Sequence, residues 1–274
     1  MLKLITDALR AGRATEAPPG PEGGFAGAAI GRFDLASPAP SAAALQAALD
    51  LCPTRAISIV PGAAAADGAS AALDDGRCVF CGLCADGPDA AFRPVAIEPA
   101  VARSRADLVR RFTISEPASA FTSPALDDGI RMQQEGSRLS EAIRRRLGRS
   151  LHIRHLDAGG CNGCDWELNQ LQAPIYDLQR FGFDFVASPR HADLLLVSGV
   201  VTANLELALV RTLDAMPLPR LVVAMGACAI SGGIFGTSEA SRGGADRVVP
   251  VDAYVSGCPP RPWAILRALH LVLD

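Results

Sequence analysis

Apolar and polar positions follow the clearest rhythm in the C-terminal part of the chain. Leu151-His152-Ile153-Arg154-His155-Leu156 alternates with the period of a half-buried strand. Phe183 to Ala187 and Asp193 to Ser198 read as two more strands, the second being the continuous apolar run of a strand covered on both faces. Leu221 to Met225 is a further buried strand, and Tyr254-Val255 a short one. Helical periodicity separates them: a helix is expected from Trp166, another over Asn204 to Met216, and a closing one over Trp263 to Leu273. Strands that alternate with helices imply a parallel sheet with helices on both sides. No G-x-G-x-x-G follows a strand and no P-loop is present, so neither a dinucleotide nor a nucleoside triphosphate is indicated.

The N-terminal part is patterned differently. Residues 1–12 suit a short helix with Leu2, Ile5 and Leu9 on one side, and residues 13–43, rich in Gly, Pro and Ala, read as an extended arm. A helix over Ala42 to Leu51 leads to Cys52-Pro53, a strand-like Ala56 to Val60 follows, and an Ala/Gly/Asp stretch runs up to Cys78. Residues 101–150 lack cysteine, carry Pro117, Pro124, Gly129 and Gly136, and end in a basic helix, Leu139 to Leu147. They read as a linker, and the Arg144-Arg145-Arg146 run as a solvated helix face before a docking surface. The expected division is 1–100, 101–150 and 151–274.

Composition narrows the class. A net charge of −3 gives no sign of a nucleic-acid surface. No window has the run of roughly 18 apolar residues that a spanning helix requires. The first ten residues suit neither a signal peptide nor a twin-arginine leader, so a cytoplasmic chain is expected, attached to a membrane only at its periphery and through partners. In a reducing compartment eight cysteines point to metal or redox chemistry and away from disulfides.

The first four are Cys52, Cys78, Cys81 and Cys84. Cys78-x2-Cys81-x2-Cys84 is the opening of a bacterial ferredoxin run, whose fourth cysteine ligates the other cluster of a two-cluster protein. Pro88 stands where that fourth cysteine would be, while Cys52-Pro53 looks like the tail of a run that has lost its first three. The two defects are complementary: Cys52 would reach across to the cluster of Cys78, Cys81 and Cys84. Zinc, or an empty site, is the rival, but zinc more usually takes two separated pairs or mixed Cys and His. With Met1-Leu2-Lys3-Leu4 through Pro18-Pro19, the N-terminal third resembles the ferredoxin-like subunit of formate hydrogenlyase and related complexes, departing from it by the loss of one cluster motif.

The second four are Cys161, Cys164, Cys228 and Cys258. Each follows an expected parallel strand, which would gather them at the carboxyl edge of the sheet, where open α/β sheets bind ligands. Asp157-Ala-Gly-Gly-Cys161-Asn-Gly-Cys164-Asp-Trp-Glu167, Met225-Gly-Ala-Cys228 and Gly257-Cys258-Pro-Pro-Arg261 are similar to the small-subunit family shared by nickel–iron hydrogenases and respiratory complex I. The complex I branch has adjacent cysteines at the first pair, whereas Cys161-x2-Cys164 resembles energy-converting hydrogenases and formate hydrogenlyase. That resemblance implies a flavodoxin-like C-terminal domain behind a single-cluster ferredoxin-like α+β domain. It also implies two 4Fe–4S clusters, the second proximal to a nickel–iron site in a separate large subunit, with other iron–sulfur and membrane subunits beside it. The expected function is electron relay in an oxidoreductase complex, without turnover by the chain alone. A complex-I-like quinone oxidoreductase subunit is the alternative, and a scaffold with structural metal a weaker third reading. Glu167 matches a family glutamate that would move protons beside the cluster; a first-turn acid favoured by the helix dipole explains it equally well. His152, His155 and His191 lack ligand spacing and read as structural or surface residues.

Overall fold

The computed structural model describes residues 32–36, 40–60, 70–95, 99–113 and 128–273. The expected helix over 1–12, most of the 13–43 arm and the turns at Pro117 and Pro124 lie outside the described residues. The C-terminal unit is an α/β sheet as expected. Its strands are β7 (Leu151–Asp157), β8 (Phe183–Phe185), β9 (Leu194–Ser198), β10 (Leu221–Met225) and β11 (Ala253–Val255), all parallel, in the order β11-β10-β9-β7-β8. Numbered from the first strand this is 2-1-3-4-5, the flavodoxin-like order, with the reversal between β7 and β9.

The two faces of the sheet are covered separately. All five residues of β9 are buried, and they alternate between two cores as a pleated strand must. Leu194 and Leu196 join Ile153, Val223 and Met225 beneath the closing helix (Pro262–Leu271), whose Ile265, Leu266 and Leu269 are fully buried. Leu195 and Val197 join Val222 and Ala224 against Leu209 and Leu213 of the helix Ala203–Asp214. A helix is also present over Asp128–Leu147. It starts earlier than the expected Leu139 because Gly136 is a packing position and no turn: a Cβ there would lie 2.3 Å from the Phe181 ring. Gly136, Ser140 and Ile143 face inward, while Arg144, Arg145 and Arg146 are exposed.

The N-terminal unit is α+β. Its helix, Ala42–Leu51, is capped by Ser41, whose Oγ accepts from the Ala44 amide at 3.1 Å. It stops before Cys52-Pro53, where the residue ahead of a proline is turned to extended backbone. Leu45 and Ala48, one turn apart, pack it onto Phe33, Leu35, Ile57, Leu73 and Phe92. Those come from a two-stranded pair, β1 (Arg32–Leu35) with β4 (Phe92–Val95), and an antiparallel sheet β2-β3-β6 (Ile57–Val60, Ser70–Asp74, Val109–Thr113). Pro94 is tolerated because β4 pairs on one side alone.

Residues 101–113, expected to be connecting chain, instead carry one strand of the large sheet and one of the three-stranded sheet. β5 (Val101–Ala102) lies antiparallel to β11, and β6 pairs with β3. Neither shows the alternation of a half-buried strand: β5 is only two residues long, and in β6 Arg110 forms ion pairs. Arg110 donates to Asp75 at 2.9 Å from both Nε and Nη2, and to the Phe33 carbonyl at 2.5 Å. Arg32 reaches the same carboxylate at 2.5 Å, and Asp75 is only 1% exposed. No described helix is long and apolar enough to cross a membrane. Asp75→Asn should leave the largely buried Arg32 and Arg110 with only Asp34, 3.4 Å from Arg110, as a countercharge and cost about 3 kcal/mol, read as a lower urea midpoint of the full chain. An unchanged midpoint would show that the network contributes no net stability.

Candidate functional site

Cys161, Cys164, Cys228 and Cys258 line one recess together with Gly163, Gly199, Gly257 and Pro259. Cys161 follows β7 and Cys164 lies in the first turn of the helix Gly163–Gln170, which starts earlier than the expected Trp166. Asn162 takes a left-handed conformation (φ 66°) to turn the chain between them. Cys228 sits within a short helix, Gly226–Ser231, directly after β10. Cys258 follows β11.

Whether this set suits an iron–sulfur cluster can be tested on its shape and chemistry. The recess has a volume of about 70 Å3, too small for a flavin or nucleotide, whose pockets start at roughly 300 Å3. Among the described residues no three His, Cys, Asp or Glu side chains gather tightly enough to hold a single metal ion. Four cysteines with no histidine or carboxylate among them are the donor set that 4Fe–4S clusters take. Glycine shapes the cradle: a Cβ on Gly226 would lie 2.9 Å from Cys164 Sγ, and one on Gly233 the same distance from Cys228 Sγ. Burial pushes the Cys228 thiol up to about 11 and raises Cys164 and Cys258 as well. Such thiols are neutral until a metal ionises them. The residues fit the cluster.

The other four come together at the N-terminal unit. Cys52, Cys78 and Cys84 pack against its small core, and Cys81 is exposed. Burial first, and charge on Cys52 among the further causes, push Cys78 up to about 12 and Cys84 up to about 11, so Cys52 stands near the C-x2-C-x2-C loop. The Ala56 amide donates to Cys52 Sγ at 3.2 Å, a contact of the kind that stabilises a thiolate. Phe80, at φ 56°, turns the loop and stacks on Phe33 at 6.3 Å. After burial and Cys161, Cys81 is a further source of the upward shift of Cys258, so the N-terminal loop lies within electrostatic reach of the C-terminal recess.

Several neighbours of the C-terminal recess carry no sequence signal. His155 Nε2 lies 2.9 Å from Ser198 Oγ and 3.2 Å from Asp165 Oδ1, beside a polar groove of about 440 Å3 that Asp157 and Arg154 also line. Burial lowers His155 although Asp165 and Asp157 oppose it, and burial raises Asp165 although His155 opposes it. Only the fold brings these side chains together, so period and spacing could not reveal them. Burial raises Glu167, and Arg261, just after Cys258-Pro-Pro, pulls it back. His152 Nδ1 lies 3.0 Å from the His191 carbonyl, and His191 is exposed.

A doubly wound sheet that presents four cysteines at its carboxyl edge defines a class of redox-complex subunit. Residues 161–272 match the family of the NADH ubiquinone oxidoreductase 20 kDa subunit. A probable membrane-bound hydrogenase subunit, mbhJ, of Pyrococcus furiosus is 46% identical over 129 residues, which cover 47% of this chain and 77% of that one. Formate hydrogenlyase subunit 7 of Escherichia coli is 40% identical over 135 residues, 49% of this chain and 53% of its own length. An NADH-quinone oxidoreductase subunit of Akkermansia muciniphila is 47% identical over 111 residues, 40% of this chain and 57% of its own. The chain belongs to the 20 kDa subunit family of NADH ubiquinone oxidoreductase, and spans about half the length of the last two relatives.

Cys52→Ala should damage the same iron–sulfur signal as Cys81→Ala, because both line the N-terminal site. An electron paramagnetic resonance spectrum of Cys52→Ala with that signal intact would separate Cys52 from the set.

Proposed function

We propose that this chain is an electron-transfer subunit of a membrane-associated nickel–iron hydrogenase complex of the formate hydrogenlyase kind. It carries iron–sulfur chemistry and works as one subunit of an oxidoreductase complex. In this reading Cys161, Cys164, Cys228 and Cys258 hold one 4Fe–4S cluster, and Cys52, Cys78, Cys81 and Cys84 hold a second. The division into a ferredoxin-like unit (1–100), a joining segment (101–150) and a family domain (151–274) follows from that assignment. The observation that carries the reading is the single recess that Cys161, Cys164, Cys228 and Cys258 line together at the carboxyl edge of the sheet.

A cluster bound at each set supplies one-electron transfer at a potential that the protein tunes. The chain's own residues position it: buried β9 and β10 fix the recess, Gly226 and Gly233 let the thiols approach, and amides such as that of Ala56 offer hydrogen bonds to sulfur. Glu167, half-buried beside Arg261, is the candidate to hold a proton near the C-terminal site. The partner is a large subunit holding a nickel–iron centre, packed over the loops of Cys161, Cys228 and Cys258, of which Cys161 and Cys258 are exposed. Attachment is peripheral, on the cytoplasmic face of the membrane, through other subunits.

Anaerobically purified complex should contain about eight irons per copy of this chain and stoichiometric nickel in its large subunit. Cys161→Ser or Cys258→Ser should abolish hydrogen-dependent dye reduction while the N-terminal iron–sulfur signal stays. About four irons, or stoichiometric zinc, would overturn the two-cluster assignment. A nickel-free complex with quinone-dependent turnover would instead identify a complex-I-like quinone oxidoreductase.

A further inference from the structure

The two cysteine-bearing units meet at a tight joint that leads directly into both sites. Gly76 stands just before Cys78, and a Cβ on it would lie 2.8 Å from Arg105 Nη1, 2.9 Å from Ile230 Cγ2 and 2.9 Å from Leu108 Cδ1. Ile230 is on the short helix that carries Cys228. No backbone strain demands glycine at position 76, since its φ is not among the positive values. Space demands it. Beside Gly76, Asp74 takes two hydrogen bonds from Arg105, Nη1 to Oδ1 at 2.7 Å and Nη2 to Oδ2 at 2.5 Å. Asp74 Oδ1 also accepts from the Gly76 amide at 2.9 Å, and its carbonyl accepts from the amides of Arg77 and Cys78 at 3.0 and 3.1 Å. One residue therefore shapes the turn into Cys78 and grips the segment 101–113.

That segment is anchored on the far side too. β5 is bonded to β11, the strand that leads to Cys258, and the Leu108 carbonyl accepts from the Asp75 amide at 2.9 Å while the Leu108 side chain is buried in the C-terminal core. Past Arg105 the units part around a groove of about 600 Å3, lined by Asp74 and Arg77 on one side and by Ser231 and Thr237 on the other. Gly76 thus packs directly on the helix of Cys228, and Arg105 ties Asp74 to the segment that β5 joins to the larger sheet.

We propose that Asp74, Gly76 and Arg105 are positioning residues that fix the separation of the two iron–sulfur sites. The proposal rests on the reading that both cysteine sets hold clusters. The step it serves makes and breaks no bond: the electron that one site loses is the electron the other gains. Tunnelling falls steeply with distance, so a joint that sets the separation sets the rate. A bidentate arginine suits this task, because its planar fork fixes orientation where a lysine would not.

The test uses the full chain in its purified complex, reduced anaerobically with dithionite. Magnetic coupling between two reduced clusters falls with the cube of their separation and splits their paramagnetic resonance lines. Wild type should show that splitting. Gly76→Ala and Arg105→Ala should narrow or remove it at unchanged iron content, and Arg105→Lys, which keeps the charge without the fork, should fall between. Arg149→Ala serves as the control, since it breaks a comparable pair with Asp193 (2.7 and 3.0 Å) at the opposite edge of the sheet and should leave the splitting alone. Hydrogen exchange across 101–113 gives a readout that needs no cluster, and it should quicken in the joint variants. Wild-type splitting and exchange in those variants, at full iron, would overturn the joint while the two-site reading stands. Wild type with about four irons per chain would overturn both.

Discussion

Parallel strands end at one edge, and that constraint is what brings Cys161, Cys164, Cys228 and Cys258 together. They follow β7, β10 and β11, which would be far apart in an extended chain and are neighbours or near-neighbours in the 2-1-3-4-5 sheet. Gly199, on the loop after β9, closes the recess at the strand-order reversal, where open sheets leave a crevice. Such a recess is only as rigid as the strands beneath it. β9 is buried along its whole length and β10 along nearly all of it, so the geometry of the thiols is set by core packing and not by the loops themselves.

Strong periodicity made the C-terminal unit legible in the sequence. Leu194 to Val197 could be nothing but a doubly covered strand once helices flanked it, and the cysteines after β7, β10 and β11 could be placed on one edge from strand order alone. The capped helix Ala42–Leu51 was equally legible, since Ser41 starts it and Cys52-Pro53 stops it. What escaped was whatever depends on partners distant in the chain. β3 is Ala-rich, β5 is only Val101–Ala102, and β6 contains Arg110 and Arg111, so none has an apolar alternation to detect. Gly136 looked like a turn because the ring of Phe181 that it accommodates lies elsewhere in the sequence.

The N-terminal unit shows why its charges matter. Its buried core is small and contains Ala48, Ala56, Ala71 and Ala91 beside a few large side chains, so apolar burial alone does not orient its strands firmly. Arg32 and Arg110 converge on Asp75, and Arg110 also reaches Asp34 at 3.4 Å and the Phe33 carbonyl. Buried ion pairs add little net stability, yet they tolerate few alternative geometries. Here the network ties β1 to the turn that leaves β3 and to β6, which is to say that arginines from 101–113 hold in place the turn that precedes Cys78. The same stretch of chain supplies Arg105 to Asp74 and β5 to the larger sheet. The segment that looked least structured in sequence therefore has the most influence on how the two units are arranged.

Burial around the C-terminal recess also separates the two readings of Glu167. A first-turn acid held by the helix dipole should have its carboxyl pulled down. Glu167 is shifted the other way, because burial outweighs the nearby Arg261 guanidinium. Its position agrees: the helix begins at Gly163, so Glu167 lies beyond the opening turn, where the dipole has largely faded. A carboxyl raised by burial takes up a proton more readily than a solvated one. Burial and a position past the opening turn both count against a charge that anchors the helix, and the proton-holding role belongs to the proposal.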